Sequence, residues 1–483
     1  MEAVFGSLSP GALVLLGVCI LVALAFEFVN GFHDTANAVA TVIYTNTLRP
    51  WRAVILSGVC NFLGVFVGGI AVAMSILYLL PSELLIGGGT GLGLALVLSL
   101  LIGAIAWNLG TWYLGLPASS SHTMIGAIIG VGVANSLRPG HVFGQGVNWG
   151  KAADVGVSLL VSPLFGLTCA GALLLLMKRF TRDPRLFTPP EGDAPPPGWI
   201  RALLIGTCSG VSFAHGSNDG QKGIGLVMLI LIGIVPAGFA LDLSASPERI
   251  AATARARGLV VAALGAAEPS RLATTAPGAT PQGASPAPAA TTTAGRARSL
   301  ALHLHGLLAG KTAVSQLSAQ ERWEVRNGLI ELRGVTKQLA PELGPERRRV
   351  LSDAVEHSRG LTDYAPTWVM VAVALALGIG TMVGWKRIVI TVGERIGRTH
   401  LTYGQGASAE LVAASTIGVA ASLGLPVSTT HVLSSGVAGT MVSNGSSLQP
   451  QTVRNIALAW LLTVPATMLL SGGLFLLLSL FLA

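Results

Sequence analysis

The long apolar run Leu13–Val42 is interrupted by a polar stripe, Glu27, Asn30, Asp34, Asn37 and Thr41. Their spacings of three and four line them along one face of a helix. A carboxylate at the centre of a membrane helix costs about 2.5–3.5 kcal/mol on insertion scales. Lipid cannot satisfy such a face, so it must look at protein, water or substrate.

The arrangement occurs twice. Gly31-Phe32-His33-Asp34-Thr35-Ala36-Asn37-Ala38 is matched by Gly216-Ser217-Asn218-Asp219-Gly220-Gln221-Lys222-Gly223, with Asp219 on Asp34 and Lys222 on Asn37. Counting back, Ser212 falls on Glu27 and His215 on Asn30, so the polar stripe is copied too. A single intramembrane Asp can be a satisfied structural group, but two matched copies argue for a site. Repeats with interrupted apolar segments at matching positions point to the midplane site of a transporter.

The rest of the chain agrees. Of its 483 residues 51% are hydrophobic and 11% charged, with mean hydropathy +0.67, which excludes an ordinary soluble domain. The net charge of +8 is assigned to helix flanks and polar segments, with no nucleic acid as partner. Cys19, Cys60, Cys169 and Cys208 sit singly in apolar runs and read as core residues; no metal site is expected from them. Without a basic segment ahead of it, the first apolar run reads as a retained helix.

Apolar spans are expected at about 11–47, 53–80, 92–114, 152–177, 201–240, 366–385, 408–423 and 455–482. A second duplicated element lies between them: Gly115-Leu116-Pro117-Ala118-Ser119-Ser120-Ser121-His122-Thr123 and Gly424-Leu425-Pro426-Val427-Ser428-Thr429-Thr430-His431-Val432. The apolar segment after the first copy stops near Arg138-Pro139-Gly140, too soon for a span, and fits a re-entrant hairpin. Pro117 and Pro426 suit the first turn of a helix, with the hydroxyls as caps. A half-helix N-terminus carrying Ser and Thr hydroxyls is an anion site.

Residues 242–365 hold 15 of the 30 Lys and Arg and 11 of the 22 Asp and Glu, so this segment is aqueous. Its middle, about 266–296, has a disordered composition, and its flanks, about 247–264 and 298–360, have helical periodicity. Asp34 to Ser120 is 86 residues, Asp219 to Thr429 is 210, and the difference, 124, is the length of 242–365. The expected organisation is therefore repeat 1 at 1–180, a connector at 181–200, repeat 2 at 201–241 and 366–483, and the insert at 242–365. The fold class is all-α integral membrane, an inverted-repeat secondary transporter with two re-entrant hairpins and one soluble insert. Basic residues beside the spans place Arg49, Arg52, Lys178, Arg201, Lys386, Arg387 and Arg454 on the cytoplasmic side, and the insert and both termini outside.

These residues resemble the Pit-type inorganic phosphate transporters. The two Asp-bearing octapeptides look like that family's duplicated signature, the two Gly-Leu-Pro elements like its re-entrant hairpins, and Gly380-Thr381-Met382-Val383-Gly384-Trp385-Lys386-Arg387 matches a further family element. The resemblance covers the chain apart from the insert. It implies a substrate site of Asp34, Asn37, Ser119, Ser120, Ser121, Asn218, Asp219, Ser428, Thr429 and Thr430. Ion coupling would fall to Glu27, His33, Asp34 and Asp219, with Lys222, His122, His215 and His431 as accessory groups. The family's usual Asn before the first Asp is His33 here. An imidazole titrates near neutral pH where an amide cannot, which favours the low-affinity proton-coupled branch of the bacterial cytoplasmic membrane.

On this reading the chain imports phosphate with protons, as a neutral complex with a co-transported divalent metal, and holds no resident cofactor. A homo-oligomer is compatible with it. Sodium-coupled phosphate or sulfate symport on the same fold is the alternative. A channel would not concentrate its substrate. An intramembrane Ser–His hydrolase is disfavoured because Ser121-His122 and Thr430-His431 are sequence neighbours, which do not face one another on a helix.

Overall fold

The computed structural model describes residues 8–34, 36–78, 89–140, 142–144, 147–190, 192–265 and 293–482. Its helices begin with α1 (Pro10–Asp34), α2 (Ala36–Tyr44), α3 (Pro50–Val67), α4 (Ala71–Leu77), α5 (Gly89–Tyr113), α6 (Ser120–Ser136), α7 (Trp149–Phe180) and α8 (Gly198–Ile234). There follow α9 (Pro247–Gly265), α10 (Thr293–Leu308), α11 (Ala319–Leu339) and α12 (Pro345–Thr362). The chain ends with α13 (Thr367–Thr381), α14 (Lys386–Ile390), α15 (Tyr403–Ser422), α16 (Thr429–Ser443) and α17 (Pro450–Leu482). Among the described residues the sole β pairing is one bridge, Gly397–Leu448, and the fold is all-α.

Pro10–Tyr44, Pro50–Val67, Gly91–Tyr113, Leu160–Phe180 and Pro450–Leu482 are each long and apolar enough to cross a bilayer. The chain is a multi-pass membrane protein. Helices α6 and α16 are too short for this, with 17 and 15 residues, or about 25 Å at most against a hydrocarbon core of about 30 Å. Both are buried on nearly every face, α6 against α17 and α5, α16 against α7 and α15. Protein rather than lipid therefore surrounds their hydroxyls.

The two Gly-Leu-Pro elements fold alike. Gly115 (φ +67°) and Gly424 (φ +68°) take the left-handed conformation that closes the preceding helix. Leu116 N donates to Thr111 O and Gly115 N to Trp112 O, both at 2.9 Å; Leu425 N donates to Ala420 O at 2.9 Å and Gly424 N to Ala421 O at 3.1 Å. These are paired Schellman closures. The prolines are not in the first turn, as the sequence suggested, but two residues ahead of the caps, Ser119 and Ser428. A proline forces the residue before it to be extended, so each makes a straight connector from closed helix to capped helix.

The duplicated signature glycines explain the packing. A Cβ on Gly31 would run into the Leu377 carbonyl of α13, and one on Gly380 into Phe28 of α1. Gly216 of α8 and Gly64 of α3 stand in the same reciprocal relation, against Asn61 and Phe213. Small residues let membrane helices approach backbone to backbone, and here they bring both signature helices in close.

Val235–Tyr364 form a compact unit of their own; Ser9–Ile234 and Ala365–Ala483 form the other. The smaller unit starts before residue 242 because Val235–Leu241 is apolar, so the charge count that marked the insert does not register it. Helices α9 to α12 bury Ile250, Val260, Leu304, Leu329, Leu332 and Leu351 between them. Helix α10 begins at Thr293, inside the stretch expected to be disordered, and residues 266–292 lie outside the described ones. Helix α11 opens with a reciprocal cap: Glu321 N donates to Ser318 Oγ at 3.2 Å and Ser318 N to Glu321 Oε2 at 2.6 Å. Arg257 is buried and donates to the Ala354 carbonyl, while burial and the nearby Arg333 bring its pKa down to about 10.

Candidate functional site

Asp34 ends α1 and is almost fully buried. Ser120 of α6 donates to its Oδ2 at 2.6 Å, and Thr430 of α16 donates to its Oδ1 at 2.8 Å. Both short helices thus deliver a first-turn hydroxyl to one carboxylate. His33 Nδ1 lies 2.9 Å from Asp34 Oδ1, and its Nε2 lies 3.1 Å from Thr111 Oγ1 on α5.

The second copy lies on α8, where spacings of four and three place His215, Asp219 and Lys222 on one face. Lys222 Nζ is 2.7 Å from Asp219 Oδ2, and His215 Nε2 is 3.4 Å from the same oxygen. His215 Nδ1 lies 2.7 Å from Asn61 Oδ1. Ser120 Oγ also reaches Asp219 Oδ2, at 3.3 Å. Two carboxylates therefore converge on one hydroxyl, which has a single proton to give. Their mutual repulsion is offset by any positive charge between them.

Lys222 supplies part of that charge. It is wholly buried and donates to Ser121 Oγ at 2.5 Å, while Ser121 donates to the Val427 carbonyl at 2.9 Å. The Ser121 hydroxyl is thus taken up by Lys222 and Val427, not by an imidazole. Asp34, His215 and Asp219 each bring one ligand atom to within 4.8 Å of the others, close enough to hold a metal ion. Asp219 Oδ1 and Thr429 Oγ1 are buried without a hydrogen-bond partner, as are Asn218 Oδ1 and Glu27 Oε1. Buried polar atoms left unpaired cost stability, and such atoms are suited to a ligand.

Other expected residues take different places. Ser119 and Ser428 are caps, accepting from His122 N at 3.3 Å and His431 N at 3.1 Å. Asn218 donates to the Leu425 carbonyl at 3.1 Å. Glu27 accepts from Asn30 at 3.3 Å and lies against Gly223, where a Cβ would strike its side chain. His122 and His431 stack on each other with centroids 4.5 Å apart, and His431 stacks on Trp460 at 4.0 Å. The Asn37 side chain lies outside the described residues.

A family model described as the phosphate transporter family matches residues 30–471. The chain belongs to the phosphate transporter family. It is 45% identical to the low-affinity inorganic phosphate transporter PitA of Escherichia coli K12, over 95% of this chain and 96% of that one. It is 43% identical to PitB of the same strain, over 97% and 98%. It is 27% identical to a probable low-affinity inorganic phosphate transporter of Bacillus subtilis, over 94% of each. Among solved structures, one titled the sodium-dependent phosphate transporter superposes with a TM-score of 0.54 at 20% identity, covering 97% of this chain and all of that one, a likeness of fold. With bacterial relatives and several spans, this family member is a protein of the bacterial cytoplasmic membrane.

Some polar groups of this family member escaped the sequence reading. Glu410 of α15 is fully buried and accepts from Thr207 Oγ1 at 2.5 Å and from Thr41 Oγ1. Its signal was present, a lone carboxylate in the apolar stretch 408–423, and the rule applied to Asp34 would have found it. Gln221 sits inside the second signature, donating to Gly68 O at 2.6 Å and Ser217 O at 2.7 Å and accepting from Val72 N at 2.7 Å. Asn61 and Thr111 carry no signal of their own; only their contacts with His215 and His33 single them out.

Proposed function

We propose that this chain is a symporter that imports inorganic phosphate with protons, the phosphate travelling as a neutral complex with a divalent metal. The observation that carries the reading is the meeting of Asp34, Asp219 and Lys222 at the first turns of α6 and α16. Helix N-termini and hydroxyls favour the phosphate oxygens, and the Lys222 ammonium adds a fixed positive charge. The ligand atoms of Asp34, His215 and Asp219 suit the metal half of the complex. Moving phosphate inward against 100 mV, inside negative, costs about 2.3 kcal/mol per negative charge. A bound divalent metal cancels that cost for the dianion, and a proton carried alongside then supplies a similar driving force. The pairs His33–Asp34 and His215–Asp219 support protons as the coupling ion, because each sets an imidazole, which can accept and release a proton, against a site carboxylate.

Labelled phosphate uptake into proteoliposomes tests the substrate. Uptake should rise with added Mg²⁺, collapse on chelation and ignore a large excess of sulfate. Chelator-insensitive uptake would remove the metal from the proposal, and competition by sulfate would remove the preference for phosphate.

A further inference from the structure

The element Gly380–Arg387 packs Gly380 against α1, and beyond that contact it shapes a feature of its own. An open groove of about 540 Å³ is lined by Trp112, Gly384, Trp385, Lys386, Arg387 and Ile390. The Trp112 indole is fixed by donating to the Gly384 carbonyl at 2.7 Å. The Arg387 guanidinium lies over the rings of Trp112 (5.3 Å) and Tyr113 (4.9 Å) and donates to the Tyr113 carbonyl at 2.9 Å. Lys386 and Arg387 are exposed beside the groove, next to the exposed apolar residues Tyr113, Leu114 and Val383. Aromatic rings and basic groups together mark the headgroup level of a bilayer, and the basic flank belongs to the cytoplasmic leaflet, where acidic lipids reside.

We propose that this groove binds an acidic phospholipid, its acyl chain along Trp112 and Ile390 and its phosphate between Lys386 and Arg387. Indole and aliphatic carbon make most of the lining. A free hydrated anion gains little from such walls, whereas an acyl chain is buried by them. The duplication does not account for the cations: carrying Ser120 onto Thr429 carries Leu77 and Tyr78 onto Lys386 and Arg387. The groove also touches the wall of the transport site. Trp112 packs edge-on against Phe32 at 5.2 Å, and Phe32 precedes His33. A bound lipid therefore braces the helix end that carries His33 and Asp34.

Native mass spectrometry of the full chain, purified in detergent with equal phosphatidylglycerol and phosphatidylethanolamine, reads the site without transport. The intact chain should retain phosphatidylglycerol in preference. Removing both cations (Lys386→Ala with Arg387→Ala) should weaken retention about thirtyfold, the combined contribution of two basic groups near a membrane surface. Ile390→Trp keeps both cations and fills the groove, and it should lose the lipid too, which covers the case of a double variant that fails to fold. Phosphatidylglycerol retained by a folded double variant, or by Ile390→Trp, overturns the inference. Displacement of the lipid by millimolar inorganic phosphate also overturns it, because the groove would then be a free-anion site.

Discussion

Asp34 and Asp219, from opposite halves of the chain, share one hydroxyl: Ser120 Oγ lies 2.6 Å from the first and 3.3 Å from the second. Ser120→Ala should leave two buried carboxylates without their common donor. A hydrogen bond to a charged group contributes about 1.5–3 kcal/mol, so phosphate uptake should fall about ten- to hundredfold. Asp34→Asn and Asp219→Asn should each abolish uptake while the protein still inserts. Normal uptake by any of the three, at wild-type membrane abundance, would remove that residue from the site.

Lys222 makes a different prediction. Lys222→Met leaves Asp219 as a buried charge without its ammonium, and breaking such a pair costs about 3–5 kcal/mol. The single variant should therefore lose thermal stability in detergent as well as uptake. Lys222→Met combined with Asp219→Asn should regain the stability but not the uptake. A double variant no more stable than the single one would show that the pair is not coupled.

How much of this was legible in the sequence follows from what each residue signals. A charge in an apolar run is conspicuous, and repetition doubled the signal, so Asp34, Asp219 and the hairpin hydroxyls stood out. Lys222 aligned with an Asn and appeared only as an accessory; its role comes from a turn of α8 that points it at Asp219 and Ser121. His122 and His431 each follow a hydroxyl residue in sequence, but only the folded chain, which brings the first turns of α6 and α16 together, shows that they stack on each other. Asn61 and Thr111 could not be seen beforehand, since an uncharged polar residue in a span is ordinary until its partner is known.

Close packing at the signature glycines is testable by one methyl group. Gly216→Ala puts a Cβ into the Asn61 backbone, which cannot move aside as a flexible side chain would. Overpacking of this kind costs about 1–3 kcal/mol or more, so the melting temperature should fall. Gly206→Ala, on the same helix with open space around it, should change little. Equal melting temperatures for the two variants would refute the backbone contact between α3 and α8.

Residues 235–364 form a compact unit with its own core, and none of the site residues comes from it. Replacing about 250–360 with a flexible linker should leave phosphate uptake close to wild type. A monodisperse deletion protein that binds no phosphate would place the insert in the transport core.

The central claim is proton-coupled phosphate import at the Asp34–Asp219 site, and proteoliposomes under two imposed gradients test it most directly. With Mg²⁺ present and sodium absent, an inward proton gradient with the interior negative should drive labelled phosphate above its equilibrium level, and an uncoupler should abolish the effect. An inward sodium gradient at equal pH on both sides should drive none. Accumulation under the sodium gradient, and none under the proton gradient, would contradict the account.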